Sequence, residues 1–485
     1  MMETSNQSKN KPLLCESEIH ERDMWPSRSA FLFNAIGTTV GIGSMWRFPA
    51  LTLKYGGCSF IFPYLMALIF IGYPLLLLEI GMGAHFQTGD IGVFGSIHKR
   101  LRGCGLASVL GGLMVIAYYI PLLSWVAKGY VKSFGKDLGD EISASDALDF
   151  FFLEVIGMAS LGDDLKPTRI VWENVAYIIF SWCCIGALFA LGMKHVGRLA
   201  YLTMALLCIN ICIFLSRIVT VESLVGLHEF VIGQWDWSIL REQPDVWSVA
   251  VVEIFFTLGG CTFGLMTAMS SHCHPKHCPA AENASIIALS NIFFNFVAAI
   301  GTFSVMKNEN FNDMEQEFEE VADSFLGGAA IIFDSYPGEL PSIPLYWCRL
   351  LILNLFLLGI DNAFAFVGTI RDAISDSFLG RKVPDIYVLG FTIGCCIVTS
   401  LIYTTDAGLI LLDVVDFYIN YIMLLVGIYK AISAGWVYGI KGQMEIYGQK
   451  IVCKYYASPS IQFLQHHFAH QNTLQTLMSP QPLVH

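Results

Sequence analysis

Gly37-Thr-Thr-Val-Gly-Ile-Gly-Ser-Met-Trp-Arg-Phe-Pro49 is the stretch whose reading decides the fold. It sits within an apolar segment that begins near Phe31 and is long enough to cross a bilayer. Gly37, Gly41 and Gly43, with Trp46, Arg47 and Pro49, are poor material for a continuous helix. In hydrocarbon, every backbone group freed by such a break must find another partner. A break is tolerated where it is buried in protein or lines a cavity, and its carbonyls and amides can then hold ions and solute. The stretch reads as an ion and solute site at mid-membrane.

Working outward, the composition is that of a polytopic membrane protein, with 55% hydrophobic and 14% charged residues. Ten membrane-length runs are predicted, at about 30–50, 58–82, 107–131, 171–191, 198–217, 247–270, 284–305, 347–370, 385–403 and 408–436. They use most of the apolar residues and leave no large soluble domain. Residues 1–28 are polar, without the apolar core of a signal peptide, and are expected to be a cytoplasmic segment. Residues 29–440 form the predicted transporter core, and residues 441–485 read as a polar cytoplasmic tail.

Loop charge sets the expected orientation. Lys99, Arg100 and Arg102 follow span 2, Lys194 and Arg198 follow span 4, Lys276 follows span 6, and Arg371, Arg381 and Lys382 follow span 8. The opposite side carries acidic runs such as Asp313-Met-Glu-Gln-Glu-Phe-Glu-Glu320. Basic residues mark the cytoplasmic side, so both termini are expected there, with the protein in the plasma membrane. A net charge of −12 argues against a nucleic-acid partner. The fourteen cysteines, scattered mainly through the spans, read as small apolar packing residues.

Span 6 carries a second break, Phe255-Phe-Thr-Leu-Gly-Gly-Cys-Thr-Phe-Gly264. It comes five spans after the first, so the two halves would insert with opposite orientation. The expected fold is an all-α polytopic membrane protein of two five-helix inverted repeats with broken helices 1 and 6.

The chain resembles the neurotransmitter:sodium symporters, the family of the bacterial leucine transporter and of animal amine and amino-acid carriers. The resemblance rests on Gly41-Ile-Gly-Ser-Met-Trp-Arg-Phe-Pro49, Gly56-Gly-Cys-Ser-Phe-Ile-Phe-Pro-Tyr64, Gly72-Tyr-Pro-Leu-Leu-Leu-Leu-Glu79 and Phe255-Phe-Thr-Leu258. Leu358-Gly-Ile-Asp-Asn-Ala-Phe364 and Leu412-Asp-Val-Val-Asp416 complete it, over about residues 20–440. The family continues with two further helices, 11 and 12, which residues 441–485 do not provide.

The resemblance implies a sodium-coupled symporter for an amino acid or related small zwitterion, not an enzyme, with sodium ions as coupling ions. It places one sodium at Gly37, Val40, Leu358, Asp361 and Asn362, the last where the family usually has serine. An intramembrane carboxylate such as Asp361 is expensive unless it meets a cation or a hydrogen-bonding partner. It places the other sodium at Thr39, Ser44, Thr257 and Asn291, with Ser44 in place of the usual asparagine. A hydroxyl reaches less far than an amide, so a weaker site and a merely crowded turn are both open readings.

Substrate would lie against Gly41, Ile42 and Gly43, whose freed amides suit a carboxylate. Tyr119 would bind that carboxylate, Phe256 would form an aromatic lid, and Val115, Gly259, Thr262 and Phe366 would line the side-chain pocket. Monoamine carriers place an aspartate at the position of Gly41; its absence favours amino-acid-like substrates. Arg47 and Asp416 resemble the outer gate, and Arg22, Trp25 and Asp376 the inner one, where Ser271 replaces a bracing tyrosine. Tyr64, Glu253 and Asn295, with Thr257 and Asn291, occupy the anion-site region. Glu253 stands where chloride-dependent members have glutamine; a fixed carboxylate there makes chloride unnecessary, and a protonated one is the alternative.

His272-Cys-His-Pro-Lys-His-Cys278 has zinc-type ligands, but its spacing matches no standard finger, and it reads as a solvated loop. The competing functional reading is a transporter-fold sensor or accessory membrane protein that no longer transports. Nothing in the sequence signals an oligomeric state.

Overall fold

The computed structural model describes residues 23–41, 43–135, 150–158, 167, 169–218, 237–274, 278–305, 345–377 and 380–447. Arg22, Ile42 and the acidic run 313–320 lie outside the described residues. Among the described residues the chain is helical throughout, with one isolated bridge between Ile170 and Thr405.

The first span is two helices, α1 (Arg28–Thr39) and α2 (Phe48–Lys54). Ser27 caps α1, its hydroxyl accepting from the Ala30 amide at 3.1 Å. Between the two helices Gly43–Arg47 form a π turn. Pro49 falls in the first turn of α2, where no amide donor is needed. Next come α3 (Cys58–Phe86), α4 (Asp90–Ile97), α5 (Lys99–Lys132), α6 (Trp172–Leu191) and α7 (Met193–Ile218).

The second break separates α8 (Asp245–Thr257) from α9 (Leu265–Ser271). Gly259, Gly260 and Gly264 there have φ of +68°, +62° and +77°, a region that a side chain would strain. The rest is α10 (Ala280–Val305), α11 (Leu345–Ser375), α12 (Asp385–Thr404), α13 (Gly408–Tyr438) and α14 (Gly439–Tyr447). All ten predicted runs coincide with helices. Seven helices are long and apolar enough to cross a membrane among the described residues.

The middle of α5, from Val115 to Gly129, is buried on every side and packs against α11 and α13. α1 packs on α7, and α8 and α9 on α3. The two breaks meet: a Cβ at Gly259 would lie 3.2 Å from the Thr38 hydroxyl and 3.6 Å from Thr39 Cγ2. Large apolar side chains such as Phe70, Leu110, Phe293, Phe391 and Leu425 are exposed around the rim, as lipid-facing surfaces require. α14 does not hang free: Tyr447 donates to the Leu77 and Leu78 carbonyls of α3 at 3.1 and 3.2 Å. The predicted tail thus begins as a packed helix, and residues 448–485 lie outside the described residues.

Candidate functional site

Asp361, on α11, is fully buried beside the first break. Thr203 of α7 donates to its Oδ2 at 2.8 Å, and the same oxygen lies 3.6 Å from the Cβ position of Gly37. Its Oδ1 is buried and has no hydrogen-bond partner among the described residues. Val40 and Leu358 are also fully buried, and Asn362 follows Asp361 on the same helix. A buried carboxylate with an open oxygen, set at the end of a broken helix, has the chemistry of a site for a hard cation.

Thr39, Ser44, Thr257 and Asn291 are also buried around the break, but their polar atoms bind the protein. Ser44 donates to the Thr39 carbonyl at 2.7 Å, and Thr257 donates to the Glu253 carbonyl at 2.9 Å. Asn291 donates to the Thr257 carbonyl at 2.8 Å while its Oδ1 accepts from Tyr64 at 2.7 Å. Asn295 Nδ2 donates to the Tyr64 hydroxyl at 2.7 Å. The carbonyl of Thr39 and the Oδ1 of Asn291 are the oxygens a cation here would compete for.

Around the first break, Asn362 Nδ2 donates to the Tyr119 hydroxyl at 3.2 Å and overlaps the Cβ position of Gly41. Open space lies beside Gly43 instead, with nothing within 4 Å of its Cβ position. An aromatic chain runs from Tyr119 to Phe366 at 6.3 Å, to Phe263 at 5.8 Å and on to Phe256 at 6.1 Å. Val115 is buried, and Thr262 is buried with a hydroxyl that has no partner among the described residues. Phe263 is the member of this chain that the sequence did not single out.

Arg47 closes one end. Its guanidinium lies 3.2 Å from Asp416, 3.4 Å from Glu253 and 5.0 Å from the centre of the Phe256 ring. Tyr118 donates to the other Asp416 oxygen at 2.8 Å. The sequence assigned Glu253 to the anion-site region and did not single out this pairing with Arg47. One guanidinium thus stands between two carboxylates, and neither Glu253 oxygen has a hydrogen-bond partner among the described residues.

Trp25 closes the other end. Its amide donates to the His272 carbonyl at 3.0 Å and its Nε1 to the Met269 carbonyl at 2.9 Å. His272 stands with Nε2 2.8 Å from Asp372 and Nδ1 2.7 Å from the Asp23 carbonyl. Arg371 donates to the second Asp372 oxygen at 2.7 Å. Asp376 accepts from the Thr88 hydroxyl at 2.7 Å and the Gly89 amide at 3.0 Å. Ser271 donates to the Ala268 carbonyl of its own helix at 2.7 Å, and the adjacent His272 braces this end. The predicted solvated loop is corrected in part: His272, Cys273 and Cys278 are buried against the bundle, because the chain returns into α10 there.

The sodium:neurotransmitter symporter family matches residues 22–144 and 139–478, beyond residue 440 where the quoted motifs end. Similar proteins include sodium-dependent nutrient amino acid transporter 1 of Drosophila grimshawi, 27% identical over 90% of this chain and 74% of the relative. Human sodium- and chloride-dependent GABA transporter 2 is 27% identical over 87% of this chain and 74% of its own. Human sodium- and chloride-dependent neutral and basic amino acid transporter B(0+) is 25% identical over 87% and 73%. These are transporters and not enzymes. With a match across most of its length, the chain belongs to the sodium:neurotransmitter symporter family.

Proposed function

We propose that the protein moves an amino acid or similar zwitterion with sodium, by alternating access between two faces of a multi-pass bundle. The observation that carries this reading is the buried Asp361 carboxylate with its open Oδ1 beside the first break. Sodium at Gly37, Val40, Leu358, Asp361 and Asn362 would neutralise it and stiffen the broken span. The family's sodium coupling and the amino-acid substrate named for the Drosophila relative support the same reading.

The substrate carboxylate would bind at the break amides near Gly43 and accept from the Tyr119 hydroxyl, whose oxygen accepts from Asn362. Its side chain would lie among Val115, Thr262, Phe256 and Phe366. Arg47 with Asp416 would be the outer gate, and Trp25 with His272, Asp372 and Asp376 the inner one. The basic loops support this orientation, with both termini cytoplasmic; the plasma membrane is the membrane proposed. Both gate pairs are largely buried, so opening either end requires water to reach the groups that separate.

The second sodium site would be the weaker one, since Ser44, Thr257 and Asn291 already bond to neighbours. Chloride would be dispensable because Glu253 supplies the local negative charge.

The direct test of substrate class is a thermal-stability screen of purified protein with amino acids, in sodium and in potassium. Stabilisation by amino acids in sodium alone supports the proposal. Equal stabilisation in potassium would refute sodium coupling.

A further inference from the structure

Lys430, on α13, is fully buried, with its ammonium 2.5 Å from Glu79 and 2.6 Å from Asp90. It also donates to the carbonyl of Cys261, inside the second break, at 3.3 Å. Glu79 comes from α3 and Asp90 opens α4; both are buried. Glu79 Oε2 and Asp90 Oδ1 have no hydrogen-bond partner among the described residues. Cys261 in the break and Cys104 on α5 are free thiols on elements around this cluster. Tyr447 of α14 reaches α3 at the Leu77 and Leu78 carbonyls, immediately before Glu79.

Two carboxylates against one ammonium leave a net charge of −1 in a dry interior. No further ion pair of Glu79, Asp90 or Lys430 is found among the described residues. An uncompensated buried charge is strongly disfavoured, and a proton on either carboxyl removes it. The same proton would give an unpartnered oxygen a donor to share.

We propose that Glu79, Asp90 and Lys430 form a proton-binding site, in which the carboxyl pair takes one proton from water and returns it when the triad opens. Binding converts one carboxylate to a carboxylic acid and brings the cluster from −1 to neutral; the proton belongs to the pair and not to one residue. The triad is attached to the moving part of the site. Lys430 holds Cys261, and a Cβ at Gly264 would lie 2.6 Å from the Asp90 carboxylate, so the break cannot shift without disturbing both acids. Asp90 follows Thr88 and Gly89, which bind Asp376 at the Trp25 end, and the proton would exchange with water there. That this proton moves with the transport cycle rests on the symporter reading; its presence does not.

The test is infrared spectroscopy of purified full-length protein at neutral pH, reading the deuterium-sensitive carbonyl band of protonated carboxyls. Asp90→Asn and Glu79→Gln should each lose one protonated carboxyl per chain, because the remaining acid pairs with Lys430 as a carboxylate. Lys430→Gln should gain one. A wild-type protein without any such band, or folded Asp90→Asn and Glu79→Gln variants that keep the full band, would overturn the proposal. Uptake then separates the two claims. Wild-type uptake at fixed sodium should change several-fold between mildly acidic and alkaline pH, and Asp90→Asn should flatten that response. A band that behaves as expected with uptake that ignores pH would leave the proton in place and remove its coupling to transport.

Discussion

Asn362 occupies the space that a side chain at Gly41 would need, and its amide reaches the Tyr119 hydroxyl at 3.2 Å. Residue 41, residue 362 and the hydroxyl expected to meet substrate are therefore one steric unit. Gly41→Asp should weaken amino-acid binding by about tenfold or more, ~1.4 kcal/mol or above. Gly41→Asp combined with Asn362→Ser should recover part of that loss by clearing the space. Equilibrium binding of amino acids and their decarboxylated amines checks both; tighter binding of amines by the unaltered protein would defeat the carboxylate argument.

Asp361→Ala should abolish sodium-dependent substrate binding. Because the carboxylate has an open, buried oxygen, its removal should leave sodium-free stability unchanged or slightly raised. Thermal unfolding with and without sodium reads both effects. Sodium still stabilising the variant would place the ion elsewhere.

Tyr118 supports the Arg47–Asp416 pair with a 2.8 Å hydrogen bond to the carboxylate. Tyr118→Phe should weaken the closed outer end by about 1.5–3 kcal/mol, the range for a hydrogen bond to a charged group. A cysteine introduced at Gly43 should then react faster with a membrane-impermeant thiol reagent. Unchanged reactivity would mean that Tyr118 is not part of the closure.

Glu253→Gln should leave the shape of the anion region while freeing Arg47 toward Asp416. Unaltered protein should transport equally in chloride and gluconate, and the variant should be stimulated by chloride. Uptake at fixed sodium compares them. Strong chloride dependence before substitution would show that the Glu253 carboxylate does not replace the anion.

The spans were legible because each is a long apolar run, and the breaks because glycines cluster where a helix should continue. The Arg47–Asp416 pair was legible from the motifs around both residues, though they lie 369 positions apart. What escaped were contacts that no local pattern encodes. Thr203 reaches Asp361 from a different span, Arg47 is shared with Glu253, and His272 meets Asp372 across the bundle. Lys430 did carry a signal, as an ionisable residue within an apolar run. Its partners Glu79 and Asp90 belong to an early motif and to the start of the helix after it, so only the fold brings the three together.

Sodium-driven accumulation of amino acid in proteoliposomes tests the central claim most directly. An inward sodium gradient should concentrate a neutral amino acid inside the vesicles, and a sodium ionophore or Asp361→Ala should abolish the accumulation. Sodium-dependent binding without any gradient-driven accumulation would contradict the account and identify the protein as a sensor built on the transporter fold.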